Sequence, residues 1–194
     1  MGTGRLEAFT DGVIAIIITI MVLELRPPHG TALADLQPLV PVLLSYVLSF
    51  VYLGIYWNNH HHMMHVTQHV NGAVLWGNLL LLFWLSLVPF ATAWMGENHG
   101  APTPTALYGV VLLLAGISYY VLQLAILRLE GPTSTLARAI GRDFKGKLSP
   151  VAYALAIPLA FVREWLAWAL YVGVALMWLL PDRRIERVIG TDRP

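Results

Sequence analysis

Six apolar runs, each bounded by proline, glycine or charge, leave this chain few ways to fold outside a lipid bilayer. They extend from about Glu7 to Leu25, Pro38 to Asn59, Ala73 to Met95, Thr105 to Leu127, Leu148 to Val162 and Trp165 to Leu180. Arg26-Pro27-Pro28 stops the first, because a proline pair cannot continue a helix. A charged connector, Arg128 to Lys147, precedes the fifth. Only Arg163-Glu164 divides the last two, which are short enough to form a tight hairpin of tilted or partly buried helices. The chain has 194 residues, 57% hydrophobic and 12% charged, about half the charged share of an ordinary soluble domain. The predicted fold class is therefore all-α, an integral membrane protein of six transmembrane helices in one domain, residues 1–194. A net charge of +1 excludes a strongly basic nucleic-acid binder. The absence of cysteine removes disulfides, thiolate metal sites and cysteine nucleophiles together. No cleaved signal peptide is expected, since the first run exits through Glu24-Leu25-Arg26-Pro27-Pro28 without a small-residue cleavage pattern.

Lysine and arginine set the direction of threading. With six spans, Arg5, Arg128, Arg138, Arg142, Lys145, Lys147, Arg183, Arg184, Arg187 and Arg193 share one side, against Arg26 and Arg163 on the other. This asymmetry predicts that both termini are cytoplasmic. Trp94, Trp165 and Trp178 fall near span ends, where interfacial anchors belong.

The first span carries most of the chemistry. Its uncharged stretch, Gly12 to Leu23, is twelve residues long, whereas crossing hydrocarbon takes roughly 20. The helix can cross only if Phe9, Thr10 and Asp11 sit at or inside the membrane boundary, and ionisable residues there mark a functional or tightly paired site. At about 100° per residue, Gly12, Ile16, Thr19, Ile20 and Leu23 form one stripe, with Arg5 and Phe9 near its cytoplasmic extension and Glu24 flanking its outer end. Copies of this helix around an axis would present stacked aliphatic rings and one hydroxyl ring from Thr19. Asp11 points nearly the opposite way, into the subunit, where a carboxylate needs partners. Trp57 and His60 end the second span at that depth and Asn78 begins the third, so Thr10, Asp11, Trp57, His60 and Asn78, with Arg5 and Phe9 at the cytoplasmic end, are expected to form one structural polar network that locks the first helix to its neighbours. The plainer alternative is that Asp11 caps its helix or touches headgroups and water.

The run Arg5-x-x-x-Phe9-Thr10-Asp11 closely resembles the Arg/Lys-x-x-x-Phe-Ser-Asp signature of the bacterial relatives of the transmembrane protein 175 (lysosomal potassium channel) family. Trp57-Asn58-Asn59-His60-His61 is similar to that family's Trp-x-x-His-His, and Asn78-Leu79 with Pro89-Phe90 and Thr92 to its Asn-Leu and Pro-Phe-x-Thr elements. The match is strong over the first half; the second half agrees mainly in span number. Thr10 replaces the usual serine and keeps the hydroxyl, while His62, His65 and His69 enlarge the histidine cluster. The resemblance implies a homotetrameric, potassium-permeable cation channel in a prokaryotic plasma membrane, with the first helix lining the pore. It implies constrictions at Ile16, at Thr19 or Ile20, and at Leu23, and partners limited to lipid bilayer and monovalent cations, without a cofactor. Nothing here resembles Thr-Val-Gly-Tyr-Gly, so selection works without a backbone-carbonyl filter.

Two other function classes stay open from the residues. His61, His65 and His69 repeat every four positions and would share one face if the second helix continued, an arrangement open to zinc or another transition metal. A His-rich membrane metal enzyme is thus an alternative, although one dense cluster without a nearby carboxylate or cysteine falls short of the several boxes such enzymes use. A secondary cation transporter is the other. Pro89 and Pro158 interrupt helices, but not at corresponding positions of two related halves.

Overall fold

The computed structural model describes residues 2–140 and 144–179. Among them every regular element is a helix: α1 (Gly4–Leu23), a 3-10 segment (Leu33–Leu39), α2 (Val40–His65), α3 (Gly72–Ser86), α4 (Val88–Glu97), α5 (Pro102–Glu130), α6 (Thr135–Ile140), α7 (Phe144–Val162) and α8 (Glu164–Leu179). Four segments are long and apolar enough to cross a membrane: Gly4–Leu23, Leu33–His65, Gly72–Glu97 and Pro102–Glu130; Glu164–Leu179 is a shorter apolar helix. Arg142, Arg183, Arg184, Arg187 and Arg193, five of the ten charges behind the orientation argument, lie outside the described residues, as does Leu180.

Several boundaries differ from the sequence reading, each for a local reason. The third span is two helices. Leu87 separates α3 from α4, because Pro89 has no N–H for the Leu85 carbonyl and its ring would strike that carbonyl in a continuous helix. Pro158 breaks nothing and lies inside α7; neighbouring helices can re-satisfy the freed carbonyl. α2 runs on to His65, so the histidines occupy its final turns rather than a loop. It stops there, and His69 lies beyond it, its backbone N–H and that of Gln68 donating to the Glu130 carboxylate at the end of α5. Asn71 then opens α3, its side-chain oxygen accepting from Val74 N–H at 3.0 Å. The 128–147 connector contains the short helix α6, and only Arg163 separates α7 from α8.

α5 packs closely with α3 and α7, α7 with α8, and α2 with α4, while α1 lies against α2, α3 and α4. Without an aqueous drive between membrane helices, such contacts depend on small residues and interhelical hydrogen bonds. Ser49 of α2 supplies one such junction, its hydroxyl 2.6 Å from Thr92 Oγ1 on α4 and 2.9 Å from Tyr108 Oη on α5. At Gly109 a side chain would overlap the Tyr171 hydroxyl of α8, which donates to the Thr105 carbonyl at 3.0 Å. Gly109→Ala is expected to destabilise the purified protein by about 1–3 kcal/mol, the usual cost of overpacking, read as a lower thermal inactivation temperature. An unchanged temperature would mean that this close approach does not set the spacing of α5 and α8.

Candidate functional site: one pinned and one bare face of α1

α1 turns Leu6, Thr10, Ile14, Ile17 and Met21 inward. Those positions recur at three- and four-residue intervals, so they form the single face that α2, α3 and α4 cover. On the other side Ile16 is 59% exposed, Ile20 43% and Leu23 76%, with Thr19 exposed between them. The Thr19 hydroxyl donates to the Ile16 carbonyl at 2.9 Å. Its proton is thereby used within the helix, and its oxygen keeps lone pairs for an outside ligand.

Two sets of polar contacts hold the covered face. The first is buried. Asn78 Nδ2 donates to Thr10 Oγ1 at 2.8 Å, and His60 Nε2 lies 2.9 Å from Asn78 Oδ1. Because the carboxamide nitrogen serves Thr10, its oxygen can only accept. His60 therefore carries its proton on Nε2 in the neutral ring, and its buried Nδ1 has no hydrogen-bond partner. The second set lies nearer the surface. Trp57 Nε1 donates to Asp11 Oδ1 at 3.0 Å, and one turn along each helix His61 Nδ1 meets Glu7 Oε1 at 2.9 Å. The rings of Trp57 and His61 stack at 6.1 Å, and those of His61 and His65 at 6.3 Å.

The structure thus brings Thr10, His60 and Asn78 together in one chain and Asp11 and Trp57 in a parallel one, where the sequence reading expected a single cluster. Arg5 and Phe9 are exposed and stand outside both. Sequence reasoning passed over Glu7 as the partner of His61. A signal for it was present: Glu7 and Asp11 are spaced i, i+4 on one helix, as are Trp57 and His61 on the other, so one pairing implies the next. His61, His65 and His69 do not share a helix face, since α2 ends first. Among the described residues no group of three or more His, Cys, Asp or Glu is arranged to hold a metal ion.

Between α1 and α4 lies an open groove of about 660 Å³. Ile16, Ile20 and Glu24 form one wall and Phe90, Trp94 and Glu97 the other. Part of the α1 stripe therefore faces a crevice of its own subunit, and two carboxylates belong to that crevice.

The pattern of the family described as "Endosomal/lysosomal potassium channel TMEM175" matches residues 5–89, the stretch that holds the polar contacts of the pinned face. Over 187 residues the chain is 52% identical to a potassium channel of Chryseobacterium sp. (strain P1-3), covering 96% of this chain and 97% of that protein. It is 30% identical to a potassium channel of Streptomyces collinus, covering 91% of each. A crystal structure of a lysosomal potassium-selective channel TMEM175 homolog from Chamaesiphon minutus superposes with a TM-score of 0.80 at 29% identity, over 92% of this chain and 96% of that one. An Arg-x-x-x-Phe-Thr-Asp helix pinned through Asn78 and Trp57, in a fold and a sequence shared almost end to end with such proteins, places this chain in the TMEM175 potassium channel family.

Proposed function

We propose that the protein is a potassium-permeable cation channel, a homotetramer whose four α1 helices surround the conduction path. The observation that carries this reading is the asymmetry of α1: one face is fixed by packing and hydrogen bonds, and the other presents Ile16, Thr19, Ile20 and Leu23 uncovered. Membership of the family and the names of its bacterial relatives support it. In the tetramer, rings of Ile16, Ile20 and Leu23 narrow the path and exclude water when closed, while Thr19 oxygens replace part of an ion's hydration when the path widens. Potassium sheds water more readily than sodium, which gives such a ring a modest preference for it. Glu24 at the outer end concentrates cations. The pinned face is architectural: Thr10, Asp11, Trp57, His60 and Asn78 keep the helix in register and do not touch the permeating ion, and Arg5 and Phe9 continue the stripe at its cytoplasmic end. The chain lies in a prokaryotic plasma membrane with six spans and both termini cytoplasmic, a reading supported by the distribution of lysine and arginine.

Planar-bilayer recording of the purified protein tests this. Unitary current steps carried by potassium are expected; saturable, counter-ion-coupled flux without steps would favour a transporter instead, and stoichiometric iron in the preparation an enzyme. Selectivity is tested separately. Thr19→Ala is expected to lower the potassium-to-sodium permeability ratio by about twofold, equivalent to about 0.4 kcal/mol of differential barrier. An unaltered ratio would move the selective layer to another ring.

A further inference from the structure

Away from α1, helices α2, α5, α7 and α8 fail to close on one another and leave a cavity of about 60 Å³. Aromatic rings form nearly half of its lining, with Tyr56, Tyr119, Tyr153 and Trp178 among them. The ring pairs are fixed: Tyr56 and Tyr119 meet edge to face at 6.2 Å, and Trp178 Nε1 donates to Ser149 Oγ at 2.8 Å. Set among these rings is the carboxamide of Gln123, 7% exposed, lining the cavity and making no hydrogen bond to another described residue. Asn59 commits its Nδ2 to the Ile55 carbonyl at 2.8 Å and its own carbonyl to Tyr119 Oη at 3.1 Å. Its side-chain oxygen stays available. Among the described residues His60 Nδ1 is the one fully buried side-chain polar atom without a partner, so the Gln123 carboxamide is reachable from the cavity, where a ligand with one donor or acceptor can pair with it.

From this geometry we infer a binding site for a small, neutral, flat molecule with one hydroxyl, of the phenol or aromatic-alcohol class. Among the described residues the walls hold no Asp, Glu, Lys or Arg, and Lys145, whose ammonium lies 5.8 Å from the Trp178 ring centroid, is engaged with that ring, so the site favours a neutral ligand. The rings match an aromatic face, and Gln123 with Asn59 matches the hydroxyl. The enclosed space is smaller than the roughly 150 Å³ that takes benzene. The hydroxyl end therefore sits innermost, and the ring extends toward Tyr120, which is 46% exposed at the open side. The cavity wall on α2 is one turn or less from Trp57 and His60, so the site adjoins the helix that pins α1.

The test is ¹⁹F NMR of 4-fluorophenol with the full chain in detergent micelles, taking empty micelles as the partition baseline. A saturable protein-dependent shift is expected, with an affinity on the order of millimolar for so few atoms. Two kinds of variant separate this site from general partition. Gln123→Leu keeps the volume and removes the polar anchor; affinity should fall about fivefold. A Cβ at Gly116 meets Tyr56 Oη at 3.7 Å and Tyr153 Cε2 at 3.9 Å, ordinary contact. Gly116→Ala is therefore accommodated with weaker binding, and Gly116→Leu fills the space and abolishes it. No saturable component above the micelle baseline, or a response unchanged in Gln123→Leu and Gly116→Ala, would overturn the assignment. Binding is read without ion flux, so the outcome is independent of the pore reading.

Discussion

Asn78→Leu is expected to destabilise the protein by about 2 kcal/mol, measured as loss of folded protein during thermal or denaturant challenge in detergent. The single substitution leaves both the Thr10 hydroxyl and the His60 N–H buried without partners. In water-soluble proteins each such orphan costs about 1–3 kcal/mol. Interhelical bonds in a membrane protein average nearer 0.6 kcal/mol, because the dispersed helices also find partners. The smaller figure governs here, so two lost bonds contribute about 1 kcal/mol and the branched side chain's misfit against Thr10 supplies the remainder. The hub position of Asn78 makes a sharper statement about coupling. Replacing all three members, as Thr10→Val, His60→Phe and Asn78→Leu together, removes the unsatisfied groups along with the bonds. The triple variant should therefore be no less stable than the single one. Strictly additive losses would show that the three side chains act separately, and the buried chain would not be the lock described above. Trp57→Phe removes one bond from a partly exposed pair and should cost less than either.

Ile16→Asn is expected to raise cation flux into liposomes by about tenfold or more. Within the proposed pore, a ring of branched aliphatic side chains opposes hydration of the path, and a carboxamide ring supports it. A tenfold rise corresponds to about 1.4 kcal/mol off the barrier, a small demand on several simultaneous replacements. Ile16 is 59% exposed in the subunit, so the substitution disturbs little of the packed core and folding should survive. Ile14→Asn is the contrasting variant. Ile14 is 2% exposed on the covered face, and its replacement should damage stability without a specific gain in flux. Equal flux from folded Ile16→Asn and parent protein would remove Ile16 from the conduction path.

Much of this was legible before any coordinates. The all-helical membrane class follows from the apolar runs, and the grouping of Ile16, Thr19, Ile20 and Leu23 on one stripe of α1 follows from their spacing, while the choice of that stripe as the uncovered one came from the family resemblance. The first two are periodic properties of one segment, and a helix turns its side chains by the same angle wherever it lies. The need for a partner to Asp11 was readable as well, since a carboxylate at the membrane boundary has to be met. The helix break at Leu87 was only half legible. Pro89 and Pro158 present the same chemistry in the sequence, yet one ends a helix and the other sits within α7. The residue type does not decide between them, and the surroundings of each proline are a property of packing.

The division of the polar cluster is of the same kind. Thr10 and Asp11 are consecutive, so on a helix their side chains diverge by about 100°. A sequence shows them as one motif. The tertiary arrangement sends Thr10 toward Asn78 on α3 and Asp11 toward Trp57 on α2, and so makes two contacts where the spelling implied one. The tyrosine-lined cavity was wholly invisible, because its walls come from residues up to 126 positions apart, Tyr52 to Trp178. Local periodicity tells which way a side chain leaves its own helix. Only the relative placement of helices tells what it finds there, and that placement is set by contacts such as Gly109 against Tyr171 that no single segment contains.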